Sequence, residues 1–148
     1  RSVQERLKRM RARRWLLSWL IVMIVFAVID IVWITTVVLP MYEDELGSAM
    51  SESLDPVAAL AFYTIFTAGI THYGVAPGSD RGTPGRAVRG GLYGFFTYST
   101  YALTLKVILD TSWALTLSDI VWGAVVCAIT AAITSLILRN LPSTSEAE

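Results

Sequence analysis

Two aspartates lie inside stretches of sequence long and apolar enough to cross a bilayer, and nothing else constrains this chain as much. Asp30 falls in the run from Trp15 to Pro40, and Asp119 in the run from Trp113 to Leu138. A carboxylate at that depth costs about 2.5–3.5 kcal/mol or more unless it is paired, neutralised or hydrated. The same four residue types surround both acids, as Asp30-Ile31-Val32-Trp33 and Asp119-Ile120-Val121-Trp122. Ile and Val are common in apolar helices, so the repeat alone does not establish an inverted duplication.

The chain has 148 residues, of which 54% are hydrophobic and 16% charged. The charged fraction is below the roughly 25% of soluble domains, and the charges sit in short segments between long uncharged ones. This predicts an all-α integral membrane bundle of four transmembrane helices, at about 15–39, 56–75, 88–109 and 113–138. Together they make one domain over 15–139. A basic amphipathic juxtamembrane segment, 1–14, precedes it, and a disordered polar tail, 140–148, follows. Pro40 is expected to end the first helix, and Asp55-Pro56 to cap the second. The Arg-rich start suits a basic membrane flank, or the remnant beside a removed presequence. Zero formal net charge and the lack of a binding motif point away from nucleic acid. The single cysteine, Cys127, leaves no intramolecular disulfide and no multi-cysteine metal site.

Eleven of the twelve Lys and Arg fall in the N-terminal segment, the 76–89 loop and Arg139, whereas six acids fall in the other two loops. The positive-inside rule then places both termini on the cytoplasm-like side, in a bacterial inner or organellar membrane. On this topology Asp30 lies about 13 Å and Asp119 about 9 Å below the outer end of their helices. Trp33 comes level with Asp119, and Trp122 with Asp30. Asp30, Trp33, Tyr63, Tyr101, Thr104, Lys106, Asp119 and Trp122 thus form a candidate polar site in the outer half. Two readings stand. The site is a pocket for a small polar ligand, a headgroup or a proton, or it is a structural network that fixes helix register.

Gly90 and Gly94 on the third helix make a smooth packing face, as do Gly123, Cys127, Ala131 and Ser135 on the fourth. His72, the only histidine, is a possible haem or pigment ligand, though a lone histidine at such a place is more often an interfacial hydrogen-bonding residue. The glycine-rich loop with Arg81, Arg86 and Arg89 could hold a phosphate, although its spacing matches no phosphate-binding loop. No catalytic constellation and no paired metal spacing appears, so no enzyme is predicted.

Several of these residues recur in one pattern. Asp30-x-x-Trp33 is followed by Met41-Tyr42-x-x-x-Leu46-Gly47, then by Phe62-Tyr63, Gly69 and Pro77. Gly90, Gly94 and Tyr98 come next, then Tyr101-x-Leu103-Thr104 and Asp119-x-x-Trp122-Gly123. In order and spacing, from about Val22 to Leu138, the chain resembles the family catalogued as domain of unknown function 2177. The resemblance implies a small four-helix membrane protein and carries over no particular function. Where such proteins carry Tyr-Asp-Leu-Thr-Asn in the third helix, this chain reads Tyr101-Ala102-Leu103-Thr104-Leu105, without the acid and the amide. A site built on those two groups would be incomplete here. The expected role is therefore an accessory or structural subunit that packs against membrane lipids and other membrane-protein subunits. The alternative is a transporter or small-ligand binder using the outer-half site. A weaker third reading is a lipid-modifying enzyme with Asp30 or Asp119 as acid–base.

Overall fold

The computed structural model describes residues 2–51 and 53–142. The first helical run combines α1 (Val3–Trp33), a π turn (Ile34–Val38) and α2 (Leu39–Leu46), and closes in a 3-10 turn at Gly47–Ala49. Pro40 does not end it. The π turn, in which the Leu39 N–H bonds the carbonyl of Ile34, widens the helix just ahead of the proline. A wider turn relieves the clash between a proline ring and the carbonyl four residues back. The hydroxyls of Thr35 and Thr36 donate to the carbonyls of Ile31 and Val32, at 2.9 and 2.6 Å, and keep that turn's acceptors occupied. The basic segment expected as a separate lead-in is the opening turns of α1, exposed from Ser2 to Arg14.

Asp55 caps α3 (Pro56–Gly69) by accepting from the backbone N–H groups of Val57 and Ala58. A second π turn (Ile70–Val75) continues that helix. It stops at Ala76, whose left-handed backbone (φ 44°) lets its N–H reach the carbonyl of Thr71. The third helix, α4 (Thr83–Leu109), begins earlier than the apolar pattern suggests, because Pro84 in its first turn favours a start at Gly82. Ser112 caps α5 (Trp113–Asn140) by accepting from the N–H of Leu115. Asn140 closes α5, so the tail expected from residue 140 begins later, and residues 143–148 lie outside the described residues.

The two smooth faces meet each other. A Cβ on Gly90 would come within 2.7 Å of the Ala131 Cβ and of the Cys127 carbonyl. One on Gly94 would collide with the Gly123 carbonyl and the Cys127 side chain, and one on Gly123 with the ring of Tyr98. Cys127, Ala131 and Ser135 are fully buried. The small-residue stripe of α5 is thus covered by the chain's own α4, not by a foreign helix. Phe26, Phe66, Ile70, Val75 and Val126 complete the core across α1, α3, the second π turn and α5.

The outside is apolar. Two helical stretches, Val3–Ala49 and Trp113–Asn140, are long and apolar enough to cross a membrane, with mean hydropathy 2.7 and 2.3 over 18 residues. Only 17% and 39% of those windows are buried inside the fold. A core helix of a soluble protein would bury its most apolar window, whereas here Ile24, Val121 and Val107 stand exposed.

Gly94→Val should lower the thermal stability of the detergent-purified protein by about 1–3 kcal/mol through overpacking at the α4–α5 contact. Gly85→Ala, whose new methyl would meet nothing nearer than the Arg81 Cβ at 3.9 Å, should leave stability unchanged or raise it. Equal effects of the two changes in a melting experiment would contradict the close approach.

Candidate functional site

Asp30 ends the buried stripe Ser18, Val22, Phe26, Asp30 along α1. Its Oδ1 accepts from the Trp122 indole N–H of α5 at 3.3 Å, and its Oδ2 from the Tyr63 hydroxyl of α3 at 3.1 Å. One carboxylate therefore joins three helices. Trp33, one turn further along α1, lies flat against Trp122, with ring centroids 4.2 Å apart and planes 7° from parallel. An aromatic pair of this kind contributes about 0.5–1.5 kcal/mol beyond the area it buries. The repeated Asp-x-x-Trp tetrapeptides thus meet face to face.

Their partnership is not symmetrical. Trp122 donates to Asp30, but the buried N–H of Trp33 has no partner among the described residues. Asp119 instead accepts on Oδ2 from the hydroxyl of Tyr42, at 2.6 Å. Tyr42 and Tyr101 are also linked, oxygen to oxygen, at 2.9 Å. A hydroxyl has one proton, and Tyr42 directs its own to the carboxylate, so Tyr101 donates to Tyr42. A relay of two hydroxyls runs from half-exposed Tyr101 on α4, through Tyr42 on α2, to Asp119, which is only 6% exposed.

Tyr42 is the residue that the sequence reading did not include in the site, and the π turn explains why. At 100° per residue, twelve residues place Tyr42 about 120° around a regular helix from Asp30. One extra residue absorbed in the π turn leaves about 20°, so both side chains turn toward α5. The Met41-Tyr42 motif was visible, but the bulge that aims it was not.

Thr104 and Lys106 stay out of this layer. Thr104 is exposed on α4. Lys106 points to the end of its own helix, donating to the Thr111 carbonyl, lying 3.9 Å from Asp110 and resting over the ring of Trp113. Beside it, Glu45 of α2 accepts from the backbone N–H (2.9 Å) and the hydroxyl of Ser112 at the start of α5. Those two bonds hold the Glu45 carboxyl below the ordinary glutamate range. His72 is exposed, its ring edge-on to Tyr73 at 5.0 Å, away from Asp30 and Asp119. Among the described residues, no group of three His, Cys, Asp or Glu side chains gathers to hold a metal. Beside the tryptophan pair runs an apolar groove of about 390 Å³, bordered by Leu117, Val121 and Val125.

A family model described as "Predicted membrane protein (DUF2177)" matches residues 15–136, most of the chain, and the chain belongs to that family. No curated protein and no solved structure matches it.

Tyr42→Phe should cost about 1–3 kcal/mol, because it leaves Asp119 buried with no donor. In the Asp119→Asn background the same change should cost clearly less, and a thermodynamic cycle measured by denaturation reads the difference. Additive effects would mean that the two groups do not interact. A second expectation concerns pH. The folded Glu45 pKa is depressed, so its contribution to stability is complete above the usual glutamate pKa of 4.5 and is lost as pH falls through the lower folded value. Amide exchange at Ser112 should quicken over that acid window in the native protein and show no such step in Glu45→Gln.

Proposed function

We propose that this member of the DUF2177 family crosses a bacterial inner or organellar membrane four times, with both termini on the cytoplasm-like side. The layer around Asp30 and Asp119 then works as a protonatable site for a small polar ligand reached from the outer half of the bilayer. The observation that carries this reading is the hydroxyl relay from Tyr101 through Tyr42 to Asp119. A register pin needs only one donor on the carboxylate. A second hydroxyl that continues to a half-exposed position supplies, in addition, a path along which a proton can move. Intramembrane carboxylates commonly mark such paths.

The departure from the family pattern fits the same layer. Ala102, in place of the family's acid, is buried at 1% exposure next to Tyr101. An aspartate there would face the bundle interior, so this chain runs its site on two carboxylates where such relatives have three.

Infrared spectroscopy of the protein in liposomes tests the proposal. A protonated-carboxyl stretch should appear and disappear as pH is varied, vanish in Asp119→Asn, and titrate at a different pH in Tyr42→Phe. A carboxyl band that never titrates would leave the network purely structural.

A second reading, an accessory subunit of a larger membrane assembly, is favoured by one feature. The outer turns of α3, from Pro56 to Phe62, are exposed on every side, with Val57 at 75% and Leu60 at 68%. A photo-crosslinker at Leu60 in native membranes should then capture a protein neighbour. Capture of lipid alone counts against it.

A further inference from the structure

At the end of the molecule opposite the Glu45–Ser112 contact, positive charge accumulates, and the one acid of the loop, Asp80 next to Arg81, is exposed and forms no ion pair with either arginine among the described residues. Arg86 is 6% exposed. Its guanidinium donates to the Val75 carbonyl at 2.8 Å, the Ser135 hydroxyl at 3.1 Å and the Ser79 carbonyl at 3.5 Å. Arg81 donates through Nη1 to the Tyr73 carbonyl at 2.8 Å and the Gly74 carbonyl at 3.5 Å. Every one of these acceptors is neutral. Among the described residues, the only ion pair is Lys106–Asp110, at the other end of α4.

Capping explains part of this arrangement. The carbonyls of Tyr73, Gly74 and Val75 end the second helical run, and a basic side chain there is favourable. It does not explain the whole. Two arginines converge on one helix end, and Arg14 of α1 stands close enough that its charge and that of Arg81 press the Arg86 pKa below its usual value, after the larger effect of burial. Arginine stays charged even so. The start of α4 adds the positive end of a 27-residue helix with no acidic cap, Gly82 holding that position. Further donors are left over at this end. The buried hydroxyl of Ser79, two residues ahead of Arg81, has no partner among the described residues, and neither does the buried indole N–H of Trp15, the residue after Arg14. Neutral carbonyls complete hydrogen bonds but do not neutralise buried charge.

We propose that Arg81 and Arg86, with Arg14 beside them, bind the phosphate of an anionic phospholipid headgroup at the cytoplasm-like end of the bundle. Phosphate chemistry fits because a guanidinium presents paired donors to tetrahedral oxygens, and Arg81 still has two nitrogens without partners among the described residues. A lipid is the source because the neighbouring Trp15 and Trp19 stack on α1, with centroids 6.2 Å apart, at the level where the chain turns apolar. Indoles there mark a headgroup region. The site rests on the membrane reading above, but not on the carboxylate layer.

The protein in neutral detergent should be titrated with phosphatidylglycerol, with phosphatidylcholine and with inorganic phosphate, and lipid adducts read by native mass spectrometry. Phosphatidylglycerol should bind about tenfold more tightly than phosphatidylcholine, and Arg14→Gln/Arg81→Gln should abolish that preference. Both replaced residues lie outside the buried core, so the variant should keep its fold, as helical circular dichroism would report. Arg9→Gln/Arg139→Gln, an equal loss of charge elsewhere, should leave the preference intact, and so should Asp119→Asn. No preference in the native chain, an equal loss in both double variants, or binding of inorganic phosphate without a lipid preference would each overturn the assignment.

Discussion

A carboxylate removed from water must find donors within the protein, and the arrangement of helices here follows from that need. Asp30 takes one donor from α3 and one from α5, and Asp119 takes its donor from α2, which is itself tied to α4. Every α-helix of the chain thus contributes to one of two acids. Apolar packing supplies the rest, but apolar surfaces in lipid have little reason to choose one neighbour over another. Directional bonds to two fixed acceptors supply the choice. The flat contact of Trp33 on Trp122 extends it, since Trp122 stacks in the orientation that also aims its N–H at Asp30.

Much of this was legible in the sequence. Helical periodicity, apolar length and the Asp55-Pro56 cap place the four runs, and antiparallel geometry puts Trp122 at the level of Asp30. The residues at fault were those whose placement depends on irregular backbone. Pro40 looked like a terminator because the π turn ahead of it has no simple sequence signature. Tyr42 looked like a loop residue for the same reason. Lys106 was assigned to the polar layer by depth alone, whereas its long side chain reaches the carbonyls and the aromatic ring at its own helix end. Thr104 comes level with Tyr101 on the same reckoning of depth, yet it stands exposed on α4.

The small-residue stripe teaches a different lesson. Glycine and alanine every fourth residue specify a flat face, but not the identity of what lies on it. Gly90 and Gly94 supplied a matching face within the chain, and the two close on each other with the Cys127 thiol between them. An unpartnered surface is better sought where large apolar side chains have no small-residue counterpart, as at the start of α3.

The π turn at Ile34–Val38 also alters how this helix responds to changes in length. In a regular membrane helix, one inserted or deleted residue rotates everything beyond it by about 100°. A helix that already carries a surplus residue stores that change at a defined place. Loss of one residue between Trp33 and Pro40 would be absorbed by reversion to a regular turn, with Tyr42 still facing Asp119. The same loss between Ser18 and Asp30 would turn the carboxylate away from Trp122 and Tyr63. The two parts of one continuous helix therefore differ in their tolerance of length changes, the part before Asp30 fixed in length and the part after Trp33 adjustable by one residue.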